Sequence, residues 1–174
     1  MKLDQKKLRN VLGRFATGVT IITGRDITGE PFGFTATSFN TVSLDPPLIL
    51  FSVRKGARSC DILSGANAYT VNVLGLHHAP LSDMFGRNTG LKERAIKLTE
   101  MCGHSMRGVS DALAVLHCRP YAAHGAGDHV VFIGEIQEIL TSEGCRPLIF
   151  YNGQYHTTVP FNDLLPAQQE KKVV

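Results

Sequence analysis

The sequence has 174 residues, a formal net charge of +3, 43% hydrophobic residues and 19% charged residues. This length and balance are typical of one globular domain that buries its own core, and they exclude a disordered chain. No charge run suggests nucleic-acid binding, no apolar stretch could span a membrane, and the first residues, MKLDQKKLRN, lack the apolar region of a signal peptide. We therefore expect a cytoplasmic protein.

The first predicted elements are a helix and a β-hairpin. Four apolar residues have the i, i+3, i+4, i+7 spacing of one helix face, with Gly18 as a suitable end: Leu8, Val11, Leu12 and Phe15. The runs GVTIITG and PFGFTATSF have extended character, and ITGEP between them has the composition of a turn. Together these runs predict a hairpin.

The middle of the chain predicts two buried strands separated by a helix. Asp45-Pro46-Pro47 interrupts the chain, because proline cannot donate to a strand ladder. The runs LILFSV and AYTVNVL are short and apolar, as buried strands are, and KGARSCDIL between them predicts a short helix with Ser59 near its start. Short helical pieces are expected from His78 to about Met101, interrupted by a loop at MFGRNTG.

The last third predicts three further extended segments, DALAVLHCRPYAAH, DHVVFIGEIQEIL and PLIFYNGQYH. In the second, apolar residues alternate with polar or small ones, and Gly134 suggests a β-bulge. Many short strands with few helices favour a mainly β single domain of barrel type over a doubly wound parallel sheet. We expect the domain to cover residues 1–165 and residues 166–174 to form a flexible tail.

Several common motifs are missing from the chain. Gly125 and Gly127 begin a glycine pattern, but Val130 occupies the place of the third glycine of a dinucleotide-binding fingerprint. Adjacent histidines in a regular element point apart, so His77 and His78 do not predict a shared metal. The cysteines match no zinc or redox spacing and are expected to be free thiols; they are Cys60, Cys102, Cys118 and Cys145.

The first candidate for a functional site is the segment TATSFN. Alternation in a strand would place Thr35, Thr37 and Phe39 on one face and three smaller side chains on the other, namely Ala36, Ser38 and Asn40. Small and hydroxyl residues form a poor core, but they let a flat ring such as an isoalloxazine lie against exposed backbone and hydrogen-bond along its polar edge. The alternative is an ordinary threonine-rich edge strand.

A second candidate is the group of hydroxyls and cations before the predicted short helix: Ser52, Lys55, Arg58 and Ser59. Free amides and the helix dipole favour an anion at a helix start, so this group suits a phosphate. The alternative is a simple helix cap surrounded by surface cations.

The third candidate is Gly127-Asp128-His129, which stands directly before the run VVFIGEI. A histidine where a strand begins can present a polar ring to a ligand while the aspartate lies in the turn. The alternative is a turn followed by a surface histidine.

Read in order, these segments resemble the flavin reductase family that serves two-component flavin-dependent monooxygenases. The matching stretches extend from Arg14 to Tyr155: RFATGVTIIT, GFTATSFNTVSLDPPLILFSV, YTVNVL, GDHVVFIGEI and PLIFYNGQY. The resemblance implies a split β-barrel of the FMN-binding type, assembled as a homodimer with each flavin near the subunit interface.

The resemblance also implies roles for individual residues. Residues Thr35, Ala36, Thr37, Ser38 and Phe39 would lie along the isoalloxazine. Further flavin contacts would come from Ser52 and, around the ribityl phosphate, from Lys55 and Ser59. Weaker assignments to the cofactor site are Asn72, Phe85, Asp128 and Tyr151. His129 would contact the nicotinamide, and no metal is implied.

The implied activity is reduction of FMN or FAD by NADH or NADPH, with hydride passing from nicotinamide C4 to flavin N5. The reduced flavin would then leave for a partner oxygenase. Two alternatives remain open at this stage. One is a flavoprotein that retains its flavin and acts as an oxidase or reduces another acceptor, and the other is a non-enzymatic flavin-binding module.

Overall fold

The computed structural model describes residues 3–87, 91–103 and 108–164. The predicted tail, residues 166–174, lies outside this part of the chain. The helices are α1 (Gln5–Leu12), α2 (Arg58–Gly65), α3 (Ala79–Gly86) and α4 (Leu91–Cys102). The first six strands are β1 (Thr17–Gly18), β2 (Thr20–Arg25), β3 (Pro31–Ala36), β4 (Asn40–Leu44), β5 (Pro47–Arg54) and β6 (Tyr69–Val73). The remaining strands are β7 (Ala114–Ala126), β8 (His129–Thr141), β9 (Ile149–Tyr151) and β10 (Gln154–His156).

Antiparallel pairing joins these strands into two sheets. The larger has seven strands in the order β3-β2-β6-β7-β8-β5-β4, and the smaller has the order β1-β9-β10. The mainly β, single-domain prediction is therefore confirmed. Among the described helices, none combines the length and apolar character needed to cross a bilayer.

The centre of the large sheet is buried on both faces, as the fully buried run from Thr20 to Gly24 in β2 shows, whereas the edge strand β4 is mostly exposed. Ile22 packs inside the curled sheet with Phe51, whereas its neighbour Ile21 packs on the outer face with Leu98 of α4. Alternation along a strand separates the two sets of side chains. Helices α3 and α4 cover the outer face, and α2 packs against the inner cluster through Leu63.

The edge strand β3 approaches β5, the strand next to the opposite edge of the large sheet, without forming a ladder. The Ser38 hydroxyl donates to the Ser52 carbonyl at 3.1 Å and accepts from the Ser52 amide at 3.0 Å. The rings of Phe34 and Phe51 lie 6.3 Å apart behind this contact. The sheet therefore forms a split barrel, as predicted, and the split lies between β3 and β5.

Three predicted element boundaries were wrong. Helix α1 ends at Gly13 rather than at Gly18, because the Gly13 carbonyl accepts from the Asn152 amide at 2.8 Å. Strand β3 ends at Ala36, because the chain bends so that Ser38 can reach β5. The predicted loop at MFGRNTG is partly helical, since α3 continues through Gly86.

The predicted β-bulge is present at Gly134, which is also required for packing. The register of the β7–β8 ladder shifts between Pro120 and Ala122, and Gly134 faces Pro120 at this shift. A side chain at Gly134 would collide with the phenol ring of Tyr69. The glycine therefore makes room for a core aromatic side chain.

His78 joins the turn after β6 to the segment before β7. Its Nδ1 accepts from the Gly75 amide at 3.2 Å, and its Nε2 lies 3.0 Å from the Ser110 carbonyl, to which it donates. Burial lowers the pKa of this imidazole, and the neighbouring His77 lowers it further. Protonation would also place a hydrogen on Nδ1, which could then no longer accept the hydrogen bond from the Gly75 amide.

We expect His78 to make folding pH-dependent. The unfolded chain takes up a proton on this imidazole below about pH 6.5, the ordinary histidine value, whereas the folded chain takes it up only at lower pH. The free energy of unfolding should therefore fall as the pH drops below that value, and His78→Gln should weaken the dependence. Urea unfolding at several pH values, with the exposed His124→Gln as control, tests this. If the free energy of unfolding changed with pH equally in the His78 variant and the wild type, this expectation would be contradicted.

Candidate functional site

A cavity of about 1180 Å³ lies at the split of the barrel. Its walls come from β3 and the bend after it, from β5, and from α2, α3 and α4. Single-ligand pockets usually measure roughly 300–1,000 Å³. The space is therefore large enough for two aromatic ligands held together.

The cavity walls combine apolar, hydroxyl and charged groups. The apolar side chains are Phe32, Phe34, Ala36, Val53, Ala57, Ile62, Phe85 and Leu98. The hydroxyl groups belong to Thr35, Thr37, Ser38, Ser52 and Ser59, and the charged or titratable groups to Asp26, Glu30, Arg54, Arg58, Arg87 and His129. A planar apolar body with a polar edge and phosphate groups would match this composition.

The packing of β3 against α3 and α4 forms one wall. A Cβ at Gly33 would lie 3.0 Å from a Leu98 methyl group and 3.2 Å from the Phe85 ring, so a larger residue would push both side chains back by a few tenths of an ångström. The Thr35 hydroxyl donates to the Ser82 carbonyl at 2.7 Å, which ties α3 to the strand. Thr35 and Ser38 therefore use their hydroxyls to hold the walls. Among the described wall residues, the hydroxyls of Thr37, Ser52 and Ser59 remain for a ligand.

The start of α2 gives one part of the cavity a positive potential. Its N-cap is Ala57, which has no side chain able to cap the helix, and Arg58 and Ser59 are the first helical residues. Uncapped amides and the helix dipole favour an anion at this position. Arg54 adds a second guanidinium from the end of β5. This part of the cavity suits a phosphate.

The turn between β7 and β8 presents His129 at the cavity wall. The Lys55 ammonium donates to the Gly127 carbonyl at 2.7 Å, and the Lys55 amide donates to the Asp128 carbonyl at 2.9 Å. His129 Nδ1 lies 2.8 Å from an Asp128 carboxylate oxygen. Because a carboxylate only accepts, Nδ1 carries the hydrogen, and Nε2 is left for a ligand. This hydrogen bond is the main cause of an Asp128 pKa below its ordinary value, and Arg54 contributes to it.

Most of the sequence-predicted site residues meet at this cavity: Thr35, Ala36, Thr37, Ser38, Ser52, Ser59, Phe85 and His129. Their contacts with a cofactor stay a prediction. Lys55 and Asp128 stand just behind the wall, where they support the turn that carries His129.

Three predicted site residues lie away from the cavity. Asn72 is completely buried in the sheet, donating to the Ile21 carbonyl at 2.9 Å and accepting from the Val109 amide at 2.8 Å. Phe39 packs against the inner core, because the bend at Thr37 breaks the expected alternation. Tyr151 lies on β9, with its ring 5.8 Å from that of His156. Asn72 and Phe39 have structural roles in the fold, and their contacts with a cofactor stay a prediction.

Arg54, Phe34 and Leu98 are wall residues that the sequence patterns did not single out. Arg54 could have been found, because it lies two residues after Ser52 on the same strand face and opposite His129 in the ladder. Leu98 could not, since only the packing of α4 on β3 brings it to the cavity.

Residues 12–158 match the model of the flavin reductase like domain. The chain belongs to this family. It is 38% identical over 166 residues to the reductase subunit HsaB of a flavin-dependent monooxygenase from Rhodococcus jostii, covering 95% of this chain and 83% of that protein. It is 36% identical over 155 residues to a probable flavin reductase of Rhizobium meliloti, covering 88% of this chain and 49% of the relative, so it spans about half the length of that protein.

A flavin reductase of known structure has the same fold. The NADH:FAD oxidoreductase SgcE6 of Streptomyces globisporus, in complex with NAD and FAD fragments, superposes with a TM-score of 0.81 at 29% identity. The match covers 92% of this chain and 99% of that one. The family membership predicted from TATSF, DPP and GDH is therefore confirmed.

The Asp128–His129 contact can be tested without any ligand. In His129→Ala the Asp128 carboxyl loses its hydrogen-bond donor, so its pKa should rise toward the ordinary aspartate value. A carboxyl-carbon NMR titration measures this change directly. The control is Asp26, whose pKa is lowered mainly by the Thr28 hydroxyl and should not move. An unchanged Asp128 titration would show that the two side chains do not interact.

Proposed function

We propose that this flavin reductase family member transfers reducing equivalents from NADH or NADPH to FMN or FAD. The observation that carries the proposal is the meeting of the hydroxyl-lined end of β3 with His129 across one cavity. The family match supports it, as do the volume and composition of the walls. If this domain is part of a longer protein, we propose the same activity for that protein.

The residues present fit a flavin. The apolar side chains of Phe34 and Ile62 offer surface to a flat ring, while the backbone from Thr35 to Ser38 and the Thr37 hydroxyl offer hydrogen bonds to its polar edge. Arg54, Arg58 and the start of α2 would hold the phosphate of the ribityl chain. When bound together, nicotinamide and flavin supply the hydride donor at C4 and the acceptor at N5.

The protein's contribution is to bind and orient. Holding two reactants in a reactive geometry can lower a barrier by roughly 7–11 kcal/mol. No step requires the protein to remove a proton from carbon, so His129 is proposed to position the nicotinamide through Nε2 rather than to act as a base. Asp128 keeps the hydrogen on Nδ1, and Lys55 fixes the turn that carries both residues.

We further propose that the reduced flavin is released to an oxygenase component. The hydroxyls of Thr35 and Ser38 are used within the fold, which leaves fewer hydrogen bonds for the flavin and favours exchangeable flavin over a permanently bound group. A cytoplasmic location is proposed as well, since Cys60, Cys102, Cys118 and Cys145 are all free thiols.

The activity is tested by following the absorbance of NADH and NADPH with purified protein while FMN, FAD or riboflavin is added. We expect oxidation that depends on added flavin. In His129→Ala the KM for the dinucleotide should rise roughly tenfold, the cost of about one hydrogen bond of 1.4 kcal/mol, with little change in the KM for flavin. The exposed His124→Gln should behave as wild type.

Other outcomes would contradict the proposal. Turnover that proceeds only with flavin retained by the protein would indicate a flavoprotein acting on another acceptor. Flavin binding without any dinucleotide oxidation would indicate a binding module. If His129→Ala raised the KM for the dinucleotide and the KM for flavin equally, His129 would not have the proposed role.

We propose that the protein is a homodimer and that α1 contributes to the interface. The helix has eight residues and buries none of them, and its apolar side chains Val11 and Leu12 are exposed together with Phe15 beyond its end. Helices this short are marginal in water without packing partners. A second copy related by two-fold symmetry would cover this face.

Sedimentation equilibrium tests the dimer. The wild type should have the mass of two chains, and Leu12→Glu should shift the equilibrium toward one chain, because a charge in an apolar interface is costly. Ile27→Glu is the matched control, since Ile27 is an exposed apolar residue in the β2–β3 turn. A monomeric wild type would contradict the proposal, and an unaffected Leu12→Glu dimer would remove α1 from the interface.

A further inference from the structure

Tyr155 of β10 reaches the helix that forms one cavity wall. Its hydroxyl lies 2.8 Å from the Ser82 hydroxyl and donates to an Asp83 carboxylate oxygen at 3.2 Å. Ser82 is completely buried, and its carbonyl accepts from the Thr35 hydroxyl at 2.7 Å. The small sheet is thereby connected through α3 to the strand that lines the cavity.

Asp83 contacts Tyr155 and a cavity residue with different carboxylate oxygens: it accepts a hydrogen bond from Tyr155 and forms an ion pair with Arg87. Its Oδ1 faces Tyr155, and its Oδ2 lies 3.5 Å from an Arg87 guanidinium nitrogen. The Arg87 amide also donates to the Asp83 carbonyl at 3.2 Å, where α3 ends. Arg87 in turn lines the cavity. The contacts run in series from Tyr155 to Asp83 and from Asp83 to Arg87.

Arg87 and Arg58 are carried by helices that pack on opposite faces of the sheet. Helix α2, which carries Arg58, packs with the core inside the barrel, whereas α3 packs with the core on the outer face. The cavity therefore receives cations from both sides of β3. If the cations near α2 serve the flavin phosphate, Arg87 is available to a second phosphate-bearing ligand.

We propose that Arg87 binds the phosphates of the nicotinamide dinucleotide and that Tyr155 is a positioning residue that aims Arg87 through Asp83. The inference rests on the proposed function and adds to it the binding site of the second substrate. A guanidinium presents a planar fork of donors that matches phosphate oxygens. Tyr155 stays a neutral donor, because burial raises its pKa.

The Asp83–Arg87 pair is a poor candidate for a purely stabilising role. Its side chains are 51% and 71% exposed, and exposed ion pairs contribute little to folding. Loss of the positioning contact should therefore appear in substrate binding more than in the melting temperature. This difference separates a positioning role from a structural one.

The test compares Arg87→Ala, Arg87→Lys, Tyr155→Phe and the double variant Tyr155→Phe/Arg87→Ala. We expect Arg87→Ala to raise the KM for the dinucleotide roughly tenfold, and Tyr155→Phe roughly threefold, with kcat and the KM for flavin nearly unchanged. Arg87→Lys should recover part of the loss. The double variant should be no worse than Arg87→Ala alone, because Tyr155 acts through Arg87. Tyr121→Phe, at an exposed tyrosine of β7, is the matched control.

Four results would overturn the inference. A rise in the flavin KM alone would assign Arg87 to the flavin. If Tyr155→Phe raised the KM for the dinucleotide as much in the Arg87→Ala background as in the wild type, Tyr155 would have a structural role. A large fall in the melting temperature of Tyr155→Phe, with equal rises in the KM for both substrates, would indicate the same. Unchanged kinetics in Arg87→Ala would remove the phosphate contact.

The inference can also fail separately from the proposed function. NADH binding is measured by saturation-transfer NMR, which needs no turnover. If the wild type oxidises no dinucleotide but binds it, and Arg87→Ala weakens that binding, the proposed function fails while the binding site stands. If the wild type reduces flavin but Arg87→Ala binds NADH normally, the proposed function stands while the proposed role of Arg87 fails.

Discussion

The contact between Ser38 and the backbone of Ser52 is the constraint on which the site depends. One hydroxyl, in the link between β3 and β4, substitutes for a ladder where β3 approaches β5 in the seven-stranded sheet. A continued ladder would close the barrel and fill the space with core side chains. Because a single side chain makes the connection, the walls stay apart and a cavity of about 1180 Å³ remains between them.

The rest of the molecule keeps that opening rigid. Gly33 lets Phe85 and Leu98 pack directly on β3, and the Thr35 hydroxyl fastens α3 to the same strand. On the opposite wall, Lys55 holds the turn from which His129 begins β8. Binding energy from such preformed walls can be used to orient two cofactors, which is what hydride transfer between them requires from a protein.

The sequence predicted the strands and most of the site because both depend on local patterns. Apolar runs located β5 and β6, and Gly127-Asp128-His129 marked the start of β8. The features that these local patterns did not predict depend on contacts between residues far apart in the sequence. The bend after Ala36 exists because the Ser38 hydroxyl pairs with the Ser52 backbone. In the sequence Asn72 resembles a polar ligand residue, but in the fold its side-chain amide is hydrogen-bonded to the Ile21 carbonyl and the Val109 amide.

The central claim is that the opening at the split of the barrel is where flavin binds. A crystal structure of the protein soaked with FMN tests it most directly. The account predicts the ring system between the Thr35–Ser38 segment and His129, with the phosphate near Arg58 and the start of α2. Flavin bound at any other surface, with this cavity filled only by solvent, would contradict the account.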